Sequence, residues 1–351
     1  MKATDVQYAR LTRYFAGVFS ALLVLVACSD ADRSATSADN PPELTPVTFN
    51  MGWLPQGSMA GVIVAIEKGF YADAGLEVEA VRGFGGIRTV NEIDQGMFEF
   101  GYGDPLAVIL NRGKGGKTRM IGVINDRWPA ALCFVGSRHN IETPSDLAGL
   151  SIGGGQTSPM QVIVPEWLEL NNVPRESVEL MQLDPSIVVN SLIEGQIDAG
   201  ECWKGNSLAI FQKRAATADL EIDWIEYSAF GLDIYGNGIV TSEAIIAGQP
   251  EMARRFLTAT YKGYAWVEDN RDAAAEIVVA RYPVLDLAIT RQQIDELADL
   301  MAGAGSRGWI EEQKVAQTLA FLSRAYDVED SIVVADIYTT ELLQASPTKE
   351  D

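Results

Sequence analysis

Three short stretches carry the residue types best suited to holding a small polar group. Asp104-Pro105, Ser158-Pro159 and Asp184-Pro185 each set a capping side chain directly before a proline at the first helical position, and each follows a run with strand character. A helix N-terminus leaves backbone N–H groups unpaired and carries partial positive charge, so it attracts anions. At two of the three starts a carboxylate, Asp104 or Asp184, already stands there and would repel a second anion unless protonated or paired. Only the Gln156-Thr157-Ser158 start remains suited to an anionic group, with Arg82 and Arg88 as the cations able to rescue one elsewhere. The set favours binding a neutral or cationic hydrogen donor. The chain has one histidine, His139, and three cysteines, which leaves acid–base and metal chemistry almost no material; no metal and no cofactor are expected. Gly83, Gly85 and Gly86 imitate a phosphate loop, but no Lys-Ser or Lys-Thr follows, so a turn is expected there.

Strands must end just ahead of these starts. From Val47 onward β-like runs alternate with helical stretches, the order that gives a mainly parallel sheet covered by helices. Val47, Phe49 and Met51 alternate as a first strand, and a loop then leads to a helix over 59–68, with Ser58 as its cap and Gly69 as its stop. Leu76, Val78 and Ala80 suit a second strand, Phe98 and Phe100 lead toward Asp104, and 120–124 reads as another strand. A second block opens near Ala131 with a strand over 132–135; residues 239–241 make a last short strand, and 251–277 reads as one long helical stretch. In an open α/β sheet, ligands sit outside the carboxyl ends of the strands, so the three capped starts are expected to border one cleft.

At the N-terminus, Lys2, Arg10 and Arg13 precede an apolar run from Tyr14 to Val26, about 13 residues against the roughly 20 a spanning helix needs. The run ends in Leu25-Val26-Ala27-Cys28, which resembles a bacterial lipobox. Residues 1–27 are therefore read as a lipoprotein signal peptide, Cys28 as the lipidated new N-terminus, and 28–46 as a disordered tether of Ser, Asp, Ala, Asn and Pro. The expected place is the cell envelope, with membrane contact through the lipid only. About 300 remaining residues are too many for one small core and imply two lobes. The formal charge is −21, and removing a net +2 with the leader (Lys2, Arg10, Arg13 against Asp5) leaves about −23, which disfavours nucleic acid as a partner. Cys133 and Cys202 lack a framework spacing and are expected as buried free thiols, although an oxidising compartment would let them pair.

Four stretches in order carry a family likeness: Trp53-Leu54-Pro55-Gln56 followed by 64–78, the run 143–158, Gly195-Gln196-Ile197-Asp198-Ala199, and Pro250 to Phe256. Over about Val47 to Tyr282 the chain resembles the ABC-importer substrate-binding proteins for nitrate, sulfonates, taurine and thiamine-pyrimidine precursors, a family that also includes a yeast pyrimidine synthase. The resemblance implies a type II periplasmic binding protein fold, two α/β lobes joined by two crossover segments near 128–132 and 232–239. Lobe I would comprise 47–130 and 235–345, and lobe II 131–234. It implies a monomeric clamp that closes on a small molecule and presents it to an ABC permease and its ATPase. Within the family Trp53 matches the aromatic wall that stacks on a flat ring, and Gln56 supplies a side-chain amide. Trp203, Tyr235, Glu201 and Asp233 are the further ligand candidates, joining Asp104, Gln156, Thr157 and Ser158. Met59 stands where the yeast enzyme's motif has a histidine and the enzyme's cysteine cluster is absent, so no catalysis is expected. The expected ligand is a small planar nitrogenous one such as an aminopyrimidine. The alternatives are a sulfonate, taurine or nitrate, a pyrimidine-forming enzyme, or a sensor partner.

Overall fold

A computed structural model describes residues 43–156, 158–301, 308–326, 328 and 331–343. Cys28 and Thr157 lie outside the described residues. The first strand, β1, runs Thr45–Asn50 and so begins inside the segment expected as tether. Thr45 donates its N–H to the carbonyl of Gly75, and Pro46 is tolerated because β1 has the next strand on only one side at that point.

Among the described residues the chain forms two five-stranded sheets. The first is ordered β2-β1-β3-β10-β4, from Leu76–Val81, β1, Phe100–Gly103, Gly238–Ser242 and Thr118–Val123. The second is ordered β7-β6-β8-β5-β9, from Glu179–Leu183, Ser151–Gly155, Ala199–Trp203, Ala130–Val135 and Ile222–Glu226. Each has three parallel strands, then one antiparallel strand at the fourth place, β10 or β5. These are the strands that follow the two passages between sheets, 124–129 and 227–237, so each passage ends by completing the sheet it enters.

Helices occupy the connections: α1 (Ala60–Glu67), α2 (Phe70–Asp73), α3 (Gly86–Asp94), α4 (Pro105–Arg112), α5 (Met160–Leu170), α6 (Val188–Ile193), α7 (Ser207–Ala216) and α8 (Glu243–Gly248). The C-terminal part adds α9 (Pro250–Asp269), α10 (Arg271–Arg281), α11 (Leu287–Met301), α12 (Glu312–Tyr326) and α13 (Val334–Ile337). The single helical stretch expected over 251–277 is broken at Asn270, whose side-chain amide donates to the carbonyl of Trp266 at 2.9 Å and competes with the helical ladder. Helices α1 and α9 cross at two glycines: a Cβ on Gly263 would sit 2.1 Å from the Gly61 carbonyl oxygen, so only glycine allows this approach. Phe49, Phe100, Tyr71 and Phe256 stack in the core beneath this crossing.

The expectation of free thiols is corrected: Cys133 and Cys202 form a disulfide. They are diagonal neighbours on the antiparallel pair β5 and β8, with Cys133 opposite Gly200 and Cys202 opposite Ala131. A pairing across 69 residues of sequence had no local signature, because only the strand order makes them adjacent. Both are fully buried, and such a bond persists in an oxidising compartment. The Cys133→Ala/Cys202→Ala variant should lose about 2–4 kcal/mol of unfolding free energy in urea titrations. The native chain should take up no iodoacetamide at these positions until it is reduced.

Candidate functional site

In the first sheet β3 ends at Gly103, and the next residue turns out of the sheet to cap α4. Asp104 Oδ1 accepts from the Ala107 N–H at 2.9 Å with Pro105 at the first helical position, the arrangement read from sequence. Burial pushes the Asp104 carboxyl up to about 6, against the opposing pull of the backbone N–H groups of Ala107 and Leu106. Tyr102, from the same strand end, is buried, with its hydroxyl near Asn125 and Ser58 but in hydrogen-bond geometry with neither. Asn125 Oδ1 is likewise buried without a partner. Buried polar atoms are almost always bonded, so these two neighbouring groups are exceptions beside the end of β3.

The loop after β1 brings Gln56 alongside, where its Nε2 donates to Ser58 Oγ at 2.8 Å. Ser58 does not cap the helix as expected; the chain enters α1 through a 3-10 turn at Gly57–Met59, and the Ser58 carbonyl accepts from Tyr264 at 3.0 Å. Half-buried Trp53 is held through its backbone, its carbonyl taking the Gly83 N–H at 3.0 Å while Gly85 N–H bonds Gly52 at 2.8 Å. The glycine run is thus the turn that fastens this loop, and a Cβ on Gly83 would meet the Gly52 backbone at 2.4 Å. Arg82 and Arg88 lie over the exposed ring of Phe84, and Arg88 also pairs with Glu92 at 2.7 Å.

In the second sheet Glu201, on β8, is 7% exposed. It accepts from the Ser158 hydroxyl, with Trp203 nearby, and burial pushes its carboxyl up to about 7. Ser158 Oγ also accepts from the Met160 N–H at 3.0 Å, so the one start suited to an anion has its hydroxyl committed at both ends. Tyr227 lies close enough to feel the Glu201 charge, its buried hydroxyl unpartnered. The half-buried Trp203 packs on Trp128 from the first passage, with ring centres 5.5 Å apart.

One residue unforeseen from sequence joins the two halves. Tyr326, on α12, is raised by burial and then by the charges of both Asp104 and Glu201, and α12 packs on both α4 and α5. Its position depends on where α12 lies, and nothing local signalled that. Tyr102 was legible in principle, two residues before the capping Asp104 and on the same face of β3.

Other candidates stand elsewhere. Gln156 is exposed and engaged only through its backbone, with Leu183 at 3.0 Å. Asp184 does not cap a helix: α6 begins at Val188, and Asp184 instead takes the Ser186 N–H at 2.9 Å and hydroxyl at 2.6 Å in a local turn, which hold its exposed carboxyl below its ordinary value. Asp233 is exposed and pairs with Lys314 of α12 at 2.8 Å. Tyr235 is buried, its hydroxyl accepting from the Glu311 N–H at 2.9 Å while Lys314 lies 4.9 Å over its ring. These two passage residues seat α12.

Asp104, just after β3, and the buried Glu201, on β8, belong to different sheets; Tyr102 lies near the first, and Tyr227 and the Trp203–Trp128 pair lie near the second. Among the described residues neither carboxyl forms an ion pair, and no group of three or more His, Cys, Asp or Glu is arranged to hold a metal. Carboxyls titrating near neutrality can accept from ring or amino N–H groups or donate to ring nitrogens, and they oppose a sulfonate.

Residues 56–274 match the model of the family described as NMT1/THI5 like. The riboflavin-binding protein RibY of Chloroflexus aurantiacus is 24% identical over 353 aligned positions, covering 92% of this chain and 95% of that one. A formylaminopyrimidine-binding protein of Halalkalibacterium halodurans is 21% identical over 330 positions, covering 92% and 98%. Among solved structures, the periplasmic aliphatic sulphonate binding protein SsuA from Escherichia coli matches with a TM-score of 0.67 at 12% identity, over 88% of this chain and 96% of that one, a likeness of fold.

Burial raises three carboxyls, Asp104 to about 6 and Glu201 and Glu296 to about 7, and this fixes the sign of a pH effect. Between about pH 4.5 and 7 the folded state holds protons that the unfolded chain has released, so stability falls as pH rises through that window. The loss should be on the order of 2 kcal/mol per group. Urea titrations at pH 5 and pH 8 should show it in the native chain, and an Asp104→Asn/Glu201→Gln variant should show a flatter profile.

Proposed function

Because the chain belongs to the NMT1/THI5-like family, we propose that it is the solute-binding component of an ABC importer, closing its two lobes on a small, flat, nitrogen-rich ligand and handing it to a permease. What supports the ligand class is a pair of carboxyls, half-buried Asp104 and buried Glu201, both raised by burial and neither paired with a cation among the described residues. A sulfonate site needs the opposite, unpaired donors and positive charge. Relatives named for riboflavin and a formylaminopyrimidine, both planar and bearing N–H groups, support the same class. Trp203 on Trp128 supplies the aromatic side and Trp53 a second candidate wall.

The protein acts by binding and releases its ligand unchanged. Relatives over its full length carry names of binding proteins, and Met59 leaves the site loop without the histidine of the related enzyme. What supports an anchor is Leu25-Val26-Ala27-Cys28, which resembles a lipobox and would place a lipid on Cys28.

A thermal-shift screen tests the ligand class. Riboflavin or an aminopyrimidine at a hundredfold excess over its Kd should stabilise the protein by about 2.7 kcal/mol, and an alkanesulfonate should not. Glu201→Gln should weaken heterocycle binding by roughly 10- to 100-fold, the worth of one hydrogen bond to a charged group. Stabilisation by taurine or an alkanesulfonate alone would overturn the ligand assignment. Radiolabelled palmitate should enter the native protein in a bacterial host and be absent from Cys28→Ala.

A further inference from the structure

Helix α11 belongs to the first lobe by its packing. Ile294, Leu297 and Met301 lie in that core, and Thr290 and Gln293 press against Gly57. Its other side faces the second lobe, and there Gln293 touches both lobes with one amide. Its Oε1 accepts from the Gly57 N–H at 2.8 Å while its Nε2 donates to the carbonyl of Asn206 at 2.7 Å. Three residues on, Glu296 accepts from the Gly205 N–H at 2.7 Å through one oxygen and from Gln292 at 3.0 Å through the other. Gln293 and Glu296 are only 4% and 8% exposed, so water does not compete for these bonds. Along the rim Gln292 also meets Gln212, and Lys213 pairs with Asp286 at 2.7 Å.

The bonded backbone lies in the two loops that carry the site. Gly57 follows Gln56 in the first lobe, and Gly205 comes two residues after Trp203 in the second. A Cβ built on Gly205 would stand 3.4 Å from Ser58, so the two loops meet at this point. A hinge motion that parts Ser58 from Gly205 must break both bonds from α11 to 205–206.

We propose that Gln293 and Glu296 are positioning residues that clasp the two ligand-bearing loops together, so that the protein closes partly through its own contacts and the ligand completes a closure already begun. Each bond of this kind biases the open–closed equilibrium about fivefold, and both are lost together on opening. The effect on affinity rests on the cleft being the ligand site, as proposed above. The effect on closure rests on these contacts alone.

Hydrogen exchange on the ligand-free full chain tests it, read at the Gly57 and Gly205 amides with Ile239 of β10 as the core reference. In the native protein both glycine amides should exchange slowly without ligand. Gln293→Glu keeps the acceptor for Gly57 but sets a carboxylate oxygen against the Asn206 carbonyl. Exchange at Gly205 should then rise at least fivefold while Gly57 and Ile239 stay protected, with a larger radius of gyration in X-ray scattering. Glu296→Gln retains an acceptor and should keep Gly205 protected, whereas Glu296→Ala should not. Fast exchange at Gly205 in the ligand-free native protein would overturn the proposal, as would a native rate there in Gln293→Glu. Failure of every heterocycle to bind would overturn the ligand assignment and leave these rates unchanged.

Discussion

Two carboxyl groups taken out of water without a cation set the terms for the rest of this structure. An uncompensated buried charge is costly, so Asp104 and Glu201 are bonded to donors: the N–H at a helix start for Asp104 and a serine hydroxyl for Glu201. What remains unsatisfied in their neighbourhood, Tyr102, Asn125 and Tyr227, is buried behind the strand ends. On the proposed reading, the burial that raises these carboxyls would also make the protein selective: a ligand supplying N–H donors would satisfy them, and one bringing negative charge would not.

That cost is carried by a frame that gains stability elsewhere. The α1–α9 crossing at Gly61 and Gly263 brings two helices close enough for Phe49, Phe100, Tyr71 and Phe256 to stack without gaps. In the second lobe, where the core behind β5 and β8 is smaller, a disulfide joins those strands. Asp104 stands just past the end of β3, whereas Glu201 lies within β8 opposite Leu132 of β5.

The C-terminal helices join the lobes without belonging to either sheet. Helix α12 is seated on both passages through Lys314, which meets Asp126 of the first and Asp233 and Tyr235 of the second, and it carries Tyr326 within reach of the charges of both carboxyls. Helix α11 reaches across to the loop after β8. The family match ends at residue 274, so this bridging part lies outside the region that defines the family.

Much of this was legible in the sequence because it depends on neighbours along the chain. The order of strands and helices, the Asp104-Pro105 start, the glycine turn and the acidic character of the cleft follow from period, capping chemistry and charge, which are local. The pairing of Cys133 with Cys202 was not legible, since it exists only because β5 lies beside β8. Asp184 and Asp104 share one sequence pattern, yet only Asp104 is followed at once by helix; Ser186 offered Asp184 a nearer partner. Asp233 and Tyr235 were read as ligand candidates from their position on a passage, and their contacts with Lys314, arriving from 79 residues beyond Tyr235, had no signal in the sequence around them. Sequence by itself determined which groups are available and how each strand ends. Tertiary structure alone decided which of them face the same space, because that depends on contacts between segments far apart in the chain, whose free energies no local pattern records.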